Sequence, residues 1–366
     1  MSSLGRVAVL PGVSEPIEIR EYPLPEVGPN DILVKISLAT VCGSDVYFSR
    51  GGGPGLSINA PVGLGHEMTG RIYAAGKDVV SDSRGVPITE GDLISYSYFT
   101  NCGVCWSCVS NTASCLDRYR NWLGVPSDDH PYFHAAFGEY YYLRGNHWIF
   151  KVPDELSDDL VSPVNCAYSE VFYGLHKVGI TLEDTVVIQG AGGLGLFAIA
   201  VAREMGAGQI IVIDKIPDRL NLALEMGADE TLDVNVTSVD DRISRIKQLS
   251  RTEGADVVIE VTGSPNVIQE GIDILRPGGN YMLIGNINLG VESSIQPGSI
   301  IRNSKTISSV IVYEAWVIPR VLNFITRTKN KYPYHKIVSD TYSLEDINLA
   351  MNATANKSVI RAAIRP

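Results

Sequence analysis

Long apolar runs are missing from this chain. None approaches the roughly 18 residues needed to span a bilayer, so no membrane association is expected. Basic charge is also scarce: 30 Lys and Arg stand against 41 Asp and Glu, a formal net charge of −11. A surface that acidic repels phosphate backbones, and no nucleic-acid partner is expected. The chain has no internal repeat and no low-complexity tract. With 45% hydrophobic and 19% charged residues, its composition excludes a disordered protein. The opening stretch MSSLGRVAVLPG lacks the basic-then-apolar plan of a signal peptide, so a cytoplasmic location is expected. At 366 residues the chain is too long for one ordinary core, and two domains are expected.

Cysteine is sparse too, but its placement is informative. Cys102, Cys105, Cys108 and Cys115 form C-x2-C-x2-C-x6-C. In a reducing compartment such a cluster holds metal rather than disulfides. Four soft thiolates at this spacing can close a short lobe tetrahedrally around zinc. The remaining two cysteines are isolated. Cys42 lies in TVCGSD, after the alternating strand-like stretch 31–36, and His66 and Glu67 lie between glycines in GLGHEMTG. Cys166 lies in PVNCAYSE, at the small-residue start of a helical stretch. Cys42, His66 and Cys166 together supply three soft or borderline ligands and leave a fourth tetrahedral position open, the pattern of a catalytic zinc.

A third signal is rich in glycine. The β-branched run Thr185-Val186-Val187-Ile188-Gln189 leads into Gly190-Ala191-Gly192-Gly193-Leu194-Gly195 and then a helix-like stretch. This is G-x-G-x-x-G between strand and helix. Gly190 permits the tight turn, Gly192 admits a pyrophosphate, and Gly195 permits close helix–strand packing. The helix N-terminus, including Gly193 and Leu194, offers its free N–H groups to phosphate. A second strand ends at Asp214, nineteen residues after Gly195. A carboxylate there accepts hydrogen bonds from ribose hydroxyls and repels a 2′-phosphate, which favours NAD over NADP. Lys215 and Arg219 follow, and either could approach a phosphate. The nicotinamide end is expected near Thr262 and Gly285, after later strands of the same sheet.

These strands and helices continue to alternate, as in a doubly wound parallel α/β domain, placed here at residues 156–304. Residues 1–155 read as an irregular β-rich domain carrying the thiolate lobe. Residues 305–366 are expected to return and complete it. Residues 51–55, a Gly/Pro run with no helix after it, read as a loop beside the metal. The aromatic stretch 119–148 reads mostly as core or oligomer surface. A few of its side chains are expected to line a cleft.

The order of CGSD, GHE, the four-cysteine lobe, a CA after proline, GAGGLG and the terminal YSLEDI resembles the zinc-dependent medium-chain dehydrogenase/reductases, the alcohol and polyol dehydrogenases. That resemblance implies a Rossmann domain joined to a GroES-like catalytic domain. It further implies catalytic zinc on Cys42, His66 and Cys166, with Glu67 as an outer or exchanging ligand, and structural zinc on the four-cysteine lobe. Ser44 would take the substrate proton, Asp45 would hold the distal nitrogen of His66, and NAD would accept hydride. The chain departs from the pattern twice. The lobe's last interval is six residues instead of seven, and Tyr47 stands where many relatives have a relaying histidine. A phenol, with an ordinary pKa of about 10, stores a proton poorly at neutral pH.

The expected activity is oxidation of a secondary or polyfunctional alcohol to a ketone or aldehyde by a homodimer or homotetramer. The alternatives are an NADPH-dependent carbonyl reductase and a non-catalytic cofactor-binding protein.

Overall fold

The computed structural model describes residues 3–52, 61–110, 115 and 117–366. It divides into two compact units. One comprises Met1–Ser169, Glu314–Thr328 and Val338–Pro366, and the other Glu170–Tyr313 and Lys329–Ile337. The expected boundaries at 155/156 and 304/305 are therefore displaced. The strand Thr306–Ser309 had been expected to return to the first domain. It instead pairs in parallel with Leu275–Leu283, extending the sheet of the second unit. Its apolar run satisfies the next position of the α/β alternation, and nothing in its composition distinguishes one sheet from another.

The second unit is built on six parallel strands in the order Glu230–Asp233, Gln209–Asp214, Thr185–Gln189, Ala255–Glu260, Leu275–Leu283, Thr306–Ser309. This is the doubly wound order with its switch point between the third and fourth strands of that row. The central strand TVVIQ is buried along its whole length, as a strand covered on both faces must be. Val187, Ile211, Val258 and Tyr281 meet in one apolar cluster with Ile246, Ile272 and Ile274. Each such fully buried side chain contributes about 1.5–3 kcal/mol relative to exposure.

The first unit is β-rich. A three-stranded sheet, Glu18–Pro23, Leu4–Leu10 and Val62–Gly63, stands beside a seven-stranded one. In the larger sheet Ile32–Thr40 and Glu67–Ala75 run antiparallel, with Thr40 opposite Glu67. The last strand, Ala362–Arg365, pairs with the other side of Ile32–Thr40 and sets Ala363 opposite Thr40. Residues from both ends of the chain thus converge at the end of one strand. Among the described residues no helix is long and apolar enough to cross a membrane.

Two candidate metal sites and a dinucleotide turn

Cys42 follows the strand Ile32–Thr40 and caps the helix Gly43–Ser49 from an extended backbone (φ −87°, ψ 154°). Its N–H donates to Asp45 Oδ2 at 2.9 Å, while Asp45 Oδ1 lies 3.0 Å from His66 Nδ1. One fully buried carboxylate therefore caps the helix and braces the imidazole. Because His66 spends Nδ1 on Asp45, Nε2 remains for a metal, the arrangement that fixes tautomer and ring orientation.

Cys166 sits in a buried π-helical turn, Val164–Tyr168, opened by Pro163. Such turns are frequent at functional sites. Within it, Asn165 Oδ1 accepts from the N–H of Met68 (3.2 Å) and its Nδ2 donates to the carbonyl of His66 (3.0 Å). The turn bearing Cys166 is thereby pinned to the strand beginning at Glu67.

Donor atoms of Cys42, His66, Glu67 and Cys166 all lie within 4.8 Å of one another. Glu67 is fully buried. Its Oε2 accepts from Thr40 Oγ1 at 2.7 Å and pairs with the buried guanidinium of Arg361. Its Oε1 has no hydrogen-bond partner among the described residues. Burial pushes Glu67 up to about 7, against the pull of Arg361. The Cys42 thiol is drawn well below its ordinary range by hydrogen bonding to Cys166, against burial, with His66 assisting. Burial pulls His66 down, but Asp45 and Cys42 outweigh it and the imidazole is held well above its usual value. Two sulfurs, a braced imidazole and an unpartnered carboxylate oxygen within 4.8 Å of one another fit a divalent cation.

The second cluster is closed. Cys105 and Cys108 sulfurs are 3.5 Å apart and those of Cys102 and Cys108 are 3.9 Å apart. A disulfide needs about 2.05 Å, whereas Zn–S bonds of about 2.3 Å set tetrahedral sulfurs roughly 3.8 Å apart. Backbone N–H groups support the sulfurs: Cys102 donates to Cys115 Sγ (3.3 Å) and Cys105 to Cys102 Sγ (3.4 Å). Backbone donors lower the Cys102 thiol, while desolvation and its sulfur neighbours push Cys108 up to about 12. Four thiols this close cannot all ionise unless a cation joins them. The donor set fits zinc despite the six-residue last interval.

In the second unit the glycine turn links Thr185–Gln189 to the helix Gly193–Met205. Gly190 is left-handed (φ 112°), as the turn requires. A Cβ on Gly195 would lie 1.8 Å from the carbonyl oxygen of Gly190, so only glycine fits there. Asp214 folds onto the turn. Its Oδ2 accepts from the N–H of Ala191 (2.7 Å) and its Oδ1 from those of Lys215 (2.6 Å) and Ile216 (2.9 Å). Arg219 is nearly buried, and its Nη1 lies 3.8 Å from the Cβ position of Gly192.

The model of the alcohol dehydrogenase GroES-like domain matches residues 28–154, and that of the zinc-binding dehydrogenase matches residues 193–327. An L-threonine 3-dehydrogenase from Alteromonas mediterranea is 31% identical over 90% of this chain and 90% of its own length. This chain belongs to the zinc-dependent medium-chain dehydrogenase/reductases. A 5-exo-hydroxycamphor dehydrogenase from Pseudomonas putida is 28% identical, with 95% of each chain covered. The crystal structure of an alcohol dehydrogenase from Thermotoga maritima, 28% identical, superposes over 100% of both chains with a TM-score of 0.94. As a member of this family the protein is an oxidoreductase of the zinc-dependent alcohol dehydrogenase type.

Within this dehydrogenase the aromatic stretch divides as follows. Phe133, Phe137, Tyr140, Tyr141 and Tyr142 are core residues. Trp122 is different: its ring and that of Tyr98 each lie 4.8 Å from the His66 imidazole. Ser44 is half-buried in the first turn of the helix Gly43–Ser49. The Tyr47 ring covers Gly52, where a Cβ would meet it at 2.4 Å. His130 and His134 belong to a loop, and His134 Nε2 lies 3.0 Å from the Asp129 carbonyl. Gly53, Pro54 and Gly55 of the glycine run lie outside the described residues. Thr40, Asn165 and Arg361 were not singled out from the sequence. Only Arg361, a lone cation at the head of the apolar stretch 362–364, carries a readable signal.

Proposed function

We propose that the protein is an NAD-dependent zinc alcohol dehydrogenase that oxidises a secondary or polyfunctional alcohol to the corresponding carbonyl compound. The observation that carries this reading is the open cluster of Cys42, His66 and Cys166, with the unpartnered Oε1 of Glu67 beside it. Zinc held there acts as a Lewis acid that makes an alcohol hydroxyl acidic at neutral pH, and NAD supplies the hydride acceptor. A second zinc in the four-cysteine lobe is structural.

The chain's own residues do the rest. Asp45 holds His66 in the Nδ1–H tautomer. Ser44 accepts the alcohol proton, and Tyr47 stands at the outward end of that path. Glu67, balanced by Arg361, is the carboxylate available to exchange with an arriving oxygen. Trp122 and Tyr98 wall the pocket with aromatic surface. The two curated relatives act, by their names, on hydroxycamphor and on the 3-position of threonine, both secondary alcohols, which supports the substrate class.

Asp214 supports NAD, because a 2′-phosphate would meet a carboxylate. Arg219, at Gly192, is placed for the pyrophosphate. Initial rates over a panel of secondary, cyclic and polyhydric alcohols should favour NAD over NADP by about tenfold or more, a difference of about 1.4 kcal/mol. A clear NADP preference would overturn the reading of Asp214 and favour the carbonyl reductase. No turnover with any alcohol and either cofactor, in zinc-loaded protein, would leave only a cofactor binder.

A homodimer or homotetramer is part of the proposal. The exposed apolar side chains Leu289, Val291, Ile295 and Ile301 precede Thr306–Ser309, the edge strand of the parallel sheet, and favour coverage by a second copy. Light scattering should return a multiple of 39.7 kDa; a single-chain mass would remove this element.

A further inference from the structure

Glu260 ends the strand Ala255–Glu260 and is fully buried, yet it forms no salt bridge among the described residues. Its carboxylate collects five hydrogen bonds. Oε1 accepts from the N–H of Thr262 (2.6 Å), the hydroxyl of Thr262 (2.8 Å) and the N–H of Gly263 (2.8 Å). Oε2 accepts from the N–H groups of Gly285 (3.2 Å) and Asn286 (3.1 Å). One oxygen thus organises the loop after its own strand, and the other organises the loop after the neighbouring strand, Leu275–Leu283. A buried carboxylate saturated by N–H and O–H donors is stable without a counter-cation.

The two loops are pressed together and against the glycine turn. A Cβ on Gly285 would lie 2.6 Å from the nitrogen of Gly263, and one on Gly190 would lie 3.0 Å from Thr262 Cγ2. All three segments lie at the carboxyl ends of strands flanking the switch point, where a dinucleotide crosses a doubly wound sheet. Asp214 serves the strands on one side of that point, and Glu260 serves those on the other.

The Thr262 hydroxyl is committed on both sides, donating to Glu260 and accepting from the N–H of Ser264 at 2.9 Å. Both of its hydrogen-bonding roles thus serve the shape of the loop.

We infer that Glu260 is a positioning residue for the nicotinamide half of the cofactor, holding the 261–264 and 285–286 loops in the one shape that receives it. The inference rests on the dinucleotide reading above. It makes a different demand from that reading: loss of Glu260 should affect the nicotinamide half and spare the adenosine half.

The test compares NADH with ADP-ribose, which lacks nicotinamide, by titration of the zinc-loaded protein. Glu260→Gln places an amide NH2 against donors that need an acceptor. It should weaken NADH by about tenfold or more and leave ADP-ribose within about twofold. KM for NAD should rise more than kcat falls. Glu260→Asp, which keeps the charge, should recover part of the loss. Thr262→Val removes one of the five bonds with little risk to folding and should give a smaller loss of the same kind. Equal weakening of both ligands would mean that Glu260 merely supports the fold. Unchanged NADH affinity in both Glu260→Gln and Thr262→Val would also overturn the inference. Failure of the wild-type protein to bind either ligand would count against the dinucleotide reading itself.

Discussion

Replacing Cys42 or His66 by alanine is expected to abolish alcohol oxidation, by about a thousandfold or more, while NADH affinity changes by no more than about threefold. The size follows from losing a Lewis acid that contributes several kcal/mol at the reacting oxygen. The selectivity follows from where the parts reside. The four cluster residues belong to the β-rich unit, whereas Gly190, Gly192, Gly195 and Asp214 belong to the parallel-sheet unit. Zinc should fall by about one equivalent per chain. Fluorescence titration and metal analysis of the same preparation check both statements, and an equal loss of turnover and cofactor binding would contradict the assigned roles.

Cys105→Ser is expected to act in the opposite sense. A serine oxygen is a poor substitute for a thiolate, and the remaining sulfurs, with those of Cys102 and Cys108 3.9 Å apart, are left crowded without their cation. Loss of a few kcal/mol lowers the melting temperature of a domain this size by about 2–4 °C per kcal/mol. A drop on the order of 10 °C is therefore expected, with one zinc lost and NADH affinity nearly unchanged. Unchanged melting and unchanged zinc content would refute a metal-closed lobe.

Much of this was legible because the chemistry demands local patterns. A strand–glycine–helix turn needs its glycines within six residues, and Thr185–Gln189 occupies the residues its β-branched run predicts. Asp45, expected to partner His66, also caps the helix after Cys42, using a different oxygen for each.

What stayed hidden depends on tertiary pairing. The Arg-Pro-Gly-Gly run at 276–279 has the composition of a turn, yet it lies inside the strand Leu275–Leu283. There Leu275 pairs with Ala255 and Asn280 with Val257, so the Pro-Gly stretch is absorbed as an irregularity. The Glu67–Arg361 pair links residues 294 positions apart, and no spacing rule reaches that far. Glu260 did leave a trace: an acid closing an apolar strand, the same signature that drew attention to Asp214.

The position of Arg361 also sets the two clusters apart in how they are assembled. The four sulfurs of the lobe come from one short stretch, Cys102 to Cys115, whereas the countercharge of Glu67 comes from a residue 294 positions away. Without the docking of Ala362–Arg365 on Ile32–Thr40, Glu67 would lose its buried countercharge. The reactive cup therefore depends on long-range pairing of the chain, and the knot depends only on its own neighbours.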